Sequence, residues 1–273
     1  MRLQHHHAII TGGGTGIGAA IAHSLACEGA KLTLVGRRRD KLEEVAHELR
    51  APAKAGAQAQ RQAGLPPSQQ HINVAPADVT DRAQIDAAFA AARDANGPIT
   101  ILINNAGAAT GTPFAQLTPE AWRASMAVNL DALLHCCQAA LPDLLAAPAG
   151  RIITIASTAA LKGYAYTAAY SAAKHGALGL TRALAAEFAR TTMTVNAVCP
   201  GFTDTDIVAD AVATITARTG RSDEQARAEL ARFNPQSRLI DPREVADAVL
   251  WLCLPESRSI NGQSIAVAGG EVM

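Results

Sequence analysis

Tyr170 and Lys174 stand four residues apart in the run Tyr170-Ser171-Ala172-Ala173-Lys174, and Ser157 lies thirteen residues before the tyrosine. On a helix that spacing stacks phenol and ammonium on one face. A positive charge then stands beside a hydroxyl that ordinarily ionises near pH ~10, and a nearby cation favours the phenolate. A tyrosine tuned towards neutral pH can take a proton from an alcohol oxygen or return one, which is the acid/base half of an alcohol-to-ketone interconversion. The other half moves a hydride, and that needs a nicotinamide cofactor.

The start of the chain supplies a place to hold one. His7-Ala8-Ile9-Ile10 is a short apolar strand that runs into Thr11-Gly12-Gly13-Gly14-Thr15-Gly16-Ile17-Gly18 and then into a helical run over 19–28. Glycines permit a tight turn and close backbone approach, and the helix N-terminus aims unsatisfied N–H groups at a pyrophosphate. The strict G-x-G-x-x-G spacing is met only loosely, as Gly14, Gly16 and Ala19. Alone, such a turn equally joins a strand to a helix in any α/β protein. Tyr-x-x-x-Lys alone equally marks a solvated helix face.

The remaining elements decide between these readings by where they end. Strands are predicted over 32–35, 72–75, 99–103, 151–155 and 194–198, with helices over 41–50, 119–141 and 168–190. This alternation predicts an α/β fold: one Rossmann-like, doubly wound parallel sheet of about seven strands with helices on both faces, formed by a single domain over 1–273. Residues 51–70, rich in Ala, Gln, Pro and Gly without an apolar period, read as a surface insertion with no catalytic role. Ligands of open parallel sheets bind outside the carboxyl ends of the strands. The glycine turn, Asp78-Val79, Asn104-Asn105-Ala106-Gly107, Ser157 and Pro200-Gly201 all follow strand ends, so five separate segments converge on one edge.

Composition excludes other classes. Lys and Arg total 24, as do Asp and Glu, which leaves no global field for nucleic acid or an anionic membrane. No apolar run approaches the length of about eighteen residues that spans a bilayer, and the expectation is a cytoplasmic protein. Five cysteines (Cys27, Cys136, Cys137, Cys199, Cys253) without a C-x-x-C pair argue against a disulfide framework and a zinc site. Cys136-Cys137 reads as packing, His5-His6-His7 as a solvated or strand-leading segment, and Asp204 with Asp206 as loop hydrogen bonding. No metal is expected.

Thr11 to Gly18, Asn104 to Gly107, and the ordered set Asn129, Ser157, Tyr170 and Lys174 together resemble the classical short-chain dehydrogenases/reductases over nearly the whole chain. Pro200-Gly201 with Thr205, and Asn261-Gly262-Gln263 leading to Gly269-Gly270, extend the likeness. The resemblance implies that Tyr170 is the acid/base, that Ser157 hydrogen-bonds the substrate oxygen, and that Lys174 polarises Tyr170 and binds the nicotinamide ribose. Asn129 would position a water that links Lys174 to solvent. It also implies cofactor contacts at Gly12, Thr15, Gly16, Ile17, Gly18, Asn105, Ala106, Gly107, Thr203 and Thr205, a substrate-covering segment over 201–235, and a homo-oligomer, tetramer or dimer.

The residue that ends the second strand faces the adenosine ribose, and there an acid would favour NAD. Here it is Gly36, followed by Arg37, Arg38 and Arg39, whose forked donors suit a 2′-phosphate. NADP is therefore favoured over NAD, although Thr15 occupies a loop position that is often basic in NADP-preferring relatives. Asp78 is expected at the adenine amino group with Val79 packing nearby. The substrate is a small alcohol or carbonyl compound. Phe202, Ile207, Val208, Val212 and Ile215 offer it apolar contact, Lys162, Tyr164 and Tyr166 sit near the pocket, and Arg218, Arg221, Arg227 and Arg232 fit the phosphates of a 3-oxoacyl or 3-hydroxyacyl thioester of coenzyme A. A solvated amphipathic segment explains the same arginines. The alternative to an enzyme is a dinucleotide-bound regulatory or scaffold protein on the same fold, which loss of Tyr170 or Lys174 would have favoured.

Overall fold

The computed structural model describes residues 1–51 and 71–273; the insertion expected over 51–70 otherwise lies outside the described residues. Seven strands, β1 (His7–Thr11), β2 (Lys31–Gly36), β3 (Ile72–Pro76), β4 (Ile101–Asn104), β5 (Arg151–Ile155), β6 (Thr194–Pro200) and β7 (Ser264–Val267), form one sheet. Their order is β3-β2-β1-β4-β5-β6-β7, and every neighbouring pair is parallel. The order reverses between β1 and β4, and a crevice opens at such a point beyond the strand ends.

The strands are continuous apolar runs because both faces of the sheet are covered. Successive residues feed opposite cores, as the pleat requires. Ala8, Ile10, Ile101, Ile103 and Ile153 pack with α1 (Gly16–Cys27), α2 (Arg39–Arg50) and α9 (Pro242–Cys253). Ile9, Leu102 and Ile152 pack with α3 (Arg82–Asn96) and α5 (Ala132–Ala146), and α6 (Ala168–Glu187) adds Ala185 to that side. Cys136 and Cys137 both lie in this second core, and none of the five cysteines forms a disulfide. His7 opens β1 buried, its ring held 2.8 Å from the Gly97 carbonyl and 2.9 Å from the Thr33 hydroxyl. Among the described residues no cluster of three or more His, Cys, Asp or Glu could hold a metal ion, and no helix is long and apolar enough to cross a membrane.

The long helix expected over 119–141 differs in two ways. It is α4 (Pro119–Met126) joined to α5 by a π-turn at Ala127–Asp131, and it runs on to Ala146 past Pro142. Proline weakens a helix by removing a donor and crowding the preceding turn. Here Arg93 of α3 donates to the Ala139 carbonyl at 2.5 Å and pairs with Asp143 at 2.6 Å, so the neighbouring helix braces that turn. Beyond β6, α7 (Asp206–Thr219) and α8 (Asp223–Ala231) form a small cluster of their own around Val208, Val212, Ala226 and Leu230.

Candidate active site

The glycine turn is built for close approach. Gly12 and Gly16 take positive φ, 66° and 54°, which L side chains adopt only with strain. A Cβ on Gly18 would lie 2.1 Å from the Gly12 carbonyl oxygen, and one on Gly16 would lie 3.0 Å from a Thr205 methyl. Asn105 locks this turn from the neighbouring strand end: its side-chain amide donates to the carbonyls of Thr11 at 2.9 Å and Gly12 at 3.1 Å. The Thr11 hydroxyl in turn accepts from the backbone N–H groups of Asn105 and Ala106, both at 3.0 Å. Thr15 caps α1 in position but makes no side-chain cap bond, and Ile17 and Gly18 occupy the first turn with its N–H groups uncommitted to earlier carbonyls. A cradle that any Cβ would fill, at the positive end of a helix, fits a dinucleotide pyrophosphate.

The adenosine side is equally open. A Cβ at Gly36 would meet only ordinary contacts, the nearest at 3.5 Å. Arg37, Arg38 and Arg39 are exposed beyond it. Arg38 reaches over the turn, donating to the Thr15 hydroxyl at 3.3 Å with Asp206 at 3.6 Å, whereas Arg39 turns away to Glu43. One Asp78 oxygen accepts from the Thr80 N–H at 2.9 Å and the Thr80 hydroxyl at 2.7 Å. These bonds hold the carboxyl below its usual range, with Arg37 contributing less. Val79 is buried beneath.

Ser157 lies two residues past the end of β5 and opens a short turn in which its hydroxyl accepts from the Ala159 N–H at 3.1 Å. Tyr170 is in the first turn of α6 and Lys174 in the second. The Lys174 ammonium lies 5.7 Å from the centre of the Tyr170 ring and donates to the Ile155 carbonyl at 2.9 Å. The sequence spacing is thus realised, but its electrostatic consequence is not. Burial raises the Tyr170 phenol above its ordinary value, outweighing the Ser157 hydrogen bond that pulls it down, and burial brings Lys174 down to about 8. Desolvation disfavours both charged forms, and here it exceeds the pull of ammonium on phenol that helical stacking alone suggests.

Asn129 sits inside the π-turn. Its amide donates to the carbonyls of Ala108 at 2.9 Å and Ser125 at 3.0 Å, and its oxygen accepts from the Ala108 N–H at 3.2 Å. A Cβ on Gly107 would lie 2.9 Å from that oxygen and 3.5 Å from the Lys174 nitrogen, so only glycine fits between them. On the far side, Thr203 and Thr205 close the base of α7: the Thr203 hydroxyl donates to the Gly201 carbonyl at 3.0 Å and the Thr205 hydroxyl to the Thr203 carbonyl at 3.2 Å.

Several expected substrate contacts are otherwise engaged. Val208 and Val212 are consumed between α7 and α8, with Phe202 and Ile215 packed against them, and Ile207 is exposed. Arg221 is taken by Glu229, and Arg227 by Asp204 at 2.7 Å. Tyr166, Arg218 and Arg232 are exposed. Glu271, near the C-terminal end, carries no local sequence signal, yet its carboxylate reaches back to Lys162 and Tyr164.

Comparison with known proteins bears on this geometry. The family model described as short chain dehydrogenase matches residues 6–216. The 3-oxoacyl-acyl-carrier-protein reductase FabG of Vibrio cholerae is 35% identical over 273 residues, 100% of both chains. Among solved structures, an actinorhodin polyketide ketoreductase variant with NADPH superimposes with a TM-score of 0.88 at 32% identity, covering 99% of each chain. Levodione reductase gives a TM-score of 0.87 at 28% identity over 99% of this chain and 98% of that one.

Proposed function

The chain belongs to the short chain dehydrogenase family, and from that premise we propose that it interconverts a ketone and a secondary alcohol with NADP(H), using Tyr170 as the proton donor and acceptor. It is an NAD(P)-dependent oxidoreductase acting on CH–OH or C=O groups. The observation that carries the finer reading is the convergence of Ser157, Tyr170 and Lys174 beside a glycine turn that fits a pyrophosphate.

Gly12 to Gly18 would hold the pyrophosphate, and Arg37 and Arg38 the 2′-phosphate. Asp78 and Val79 would flank adenine, the Asn105 to Gly107 backbone would line the ribose, and Pro200, Gly201, Thr203 and Thr205 would border the nicotinamide. When bound, the dinucleotide supplies or accepts the hydride. The chain's own residues do the rest. Ser157 and Tyr170 hydrogen-bond the substrate oxygen, so charge that develops there is stabilised. In reduction Tyr170 gives its proton to that oxygen, and its raised pKa keeps the proton in place beforehand. Lys174, desolvated and hydrogen-bonded to Ile155, offers donors to the ribose and a cation near the phenolate that proton transfer creates. Asn129 holds the Ala108 backbone beside Gly107; a water between it and Lys174 would continue the path to solvent.

The whole chain acts as one catalytic domain, and 201–235 covers the substrate. Support for a ketone substrate comes from the relatives, whose names describe ketoacyl and polyketide ketone reduction. A 3-oxoacyl or 3-hydroxyacyl thioester is supported as one substrate by the Vibrio cholerae relative, by name a 3-oxoacyl-acyl-carrier-protein reductase, and by Arg218 and Arg232, which are exposed, while Arg221 and Arg227 form surface ion pairs with Glu229 and Asp204. NADP is supported by the free approach at Gly36, by the exposed Arg37 and Arg38, and by the NADPH in the related ketoreductase. A homodimer or homotetramer would cover Trp122, Leu134 and Leu145, large apolar side chains exposed on α4 and α5, and sedimentation measures it. The test of function is oxidation of NADPH, followed by absorbance, against simple ketones, steroids, sugars and acyl thioesters. Turnover of at least one carbonyl compound is expected, and cofactor binding without any turnover would overturn the proposal.

A further inference from the structure

Near the end of the chain the Glu271 side chain is 1% exposed. Its Oε1 accepts from the Tyr164 hydroxyl and lies 3.2 Å from the Lys162 ammonium, so it grips the segment between Ser157 and α6 at two points. The Tyr164 hydroxyl also lies 2.6 Å from that of Thr158, which is buried next to Ser157. A phenol carries one proton, and a carboxylate only accepts. The Tyr164 proton therefore goes to Glu271, and the phenol oxygen accepts from Thr158. Burial first, and then the bond to Glu271, raise the Tyr164 phenol far above its ordinary value, which keeps that proton in place. The Tyr164 ring packs edge-on against Phe202 and Phe233, with centroids 6.0 and 5.7 Å away, and those two rings, from opposite ends of 201–235, stack at 4.9 Å. The tail is fixed from its own side as well. A Cβ on Gly269 would lie 2.0 Å from the Asn234 Oδ1, and one on Gly201 would lie 2.9 Å from the Glu271 Oε2.

Resting on the oxidoreductase reading, we infer that Glu271 is a positioning residue for the reaction: through Tyr164 and Thr158 it fixes the turn that aims the Ser157 hydroxyl. In that turn the Ser157 hydroxyl accepts from the Ala159 N–H, and the N–H groups of Ala160, Leu161 and Lys162 donate to the carbonyls of Ser157 and Thr158. Thr158 lies inside it, so a tethered Thr158 hydroxyl holds the backbone that carries Ser157. Burial serves this role. With water excluded, a hydrogen bond to the carboxylate is stronger and the phenol meets no competing partner. A hydroxyl that must meet charge developing on a substrate oxygen gains from being held before that charge appears. The second carboxylate oxygen, Oε2, is buried without a hydrogen-bond partner, and such an oxygen costs free energy. An apolar side chain there would serve stability better; what it would lose is the acceptor for Tyr164.

The experiment compares the full-length wild type with Glu271→Met, Glu271→Gln, Tyr164→Phe and the double variant Glu271→Met/Tyr164→Phe. The substrates are NADPH with cyclohexanone, a ketosteroid or an acetoacetyl thioester, whichever the wild type reduces fastest, and rates are taken per NADPH-binding site so that unfolded protein does not count. Methionine removes the acceptor, phenylalanine removes the hydroxyl but keeps the ring, and glutamine keeps an acceptor. Glu271→Met and Tyr164→Phe should each lower kcat by about 10- to 100-fold, with KM and the Kd of NADPH within about threefold. The double variant should lose no more than either single one, and Glu271→Gln should stay within about threefold of wild type. A role in stability alone would lower the urea midpoint and leave kcat per site unchanged. Without nucleotide or substrate, the amides of Ala160, Leu161 and Lys162 should exchange hydrogen at least about tenfold faster in Glu271→Met, while those of α1 do not change. Near-normal kcat in Glu271→Met, losses that add in the double variant, a Gln variant as slow as the Met one, or unchanged exchange would overturn the inference. Faster exchange at these amides with no ketone reduced by the wild type would sustain the tether and defeat the oxidoreductase reading instead.

Discussion

Replacing Lys174 with methionine should change how stability depends on pH, and the size of the change follows from the burial of one ammonium. Lys174 is 5% exposed, and burial lowers its pKa from 10.5 to about 8. Because the native value lies below the unfolded one, the native state binds fewer protons between those limits, so stability rises with pH across that window. At pH ~7 the whole gap acts against the folded wild type, about 3 kcal/mol at ~1.4 kcal/mol per unit. At pH ~9.5 only about 1 kcal/mol of it remains. Loss of the bond to the Ile155 carbonyl also destabilises the variant, but that loss does not vary with pH. Urea denaturation of wild type and Lys174→Met, without added nucleotide, should therefore show wild type gaining about 2 kcal/mol on the variant between pH ~7 and ~9.5. Stopping there avoids the range in which the raised Tyr170 pKa acts in the opposite direction, stability being lost as the unfolded phenol begins to ionise. A difference that stays flat, or that falls as pH rises, would refute the claim that the ammonium is desolvated.

Other outcomes follow from the same geometry. Gly18→Ala forces a Cβ to within 2.1 Å of the Gly12 carbonyl; NADPH affinity, followed by fluorescence titration, should fall at least about tenfold, with a lower urea midpoint. Unchanged affinity would mean the pyrophosphate does not use this turn. Arg37→Asp places an acid beside the ribose and should move the NADP-to-NAD ratio of kcat/KM towards NAD by about tenfold or more. An unmoved ratio would assign the 2′-phosphate to other donors, Arg38 first.

What the sequence carried and what it did not can be traced to particular residues. Tyr170, Lys174 and Ser157 were legible because helical spacing and a strand end are local features, and the alternation of apolar runs placed the glycine turn and Pro200-Gly201 on the same edge. The π-turn around Asn129 was not, since it depends on the Ala108 backbone supplying bonds from another segment. Neither was the extension of α5 past Pro142, which relies on Arg93 from α3. The Tyr170 shift runs opposite to the one its spacing from Lys174 suggests, because proximity of a cation can be counted along a helix, whereas desolvation is set by everything packed around the phenol. Glu271 escaped for the same reason: its partners Lys162 and Tyr164 lie more than a hundred residues away in the chain.

The central claim, that Tyr170 carries the transferred proton, is tested most directly by Tyr170→Phe, with NADPH binding and ketone reduction measured on the same preparation. NADPH affinity is expected to stay within about threefold of wild type while kcat falls by about 100- to 10,000-fold, the worth of a positioned acid. Reduction by the variant at a rate near that of wild type would contradict it.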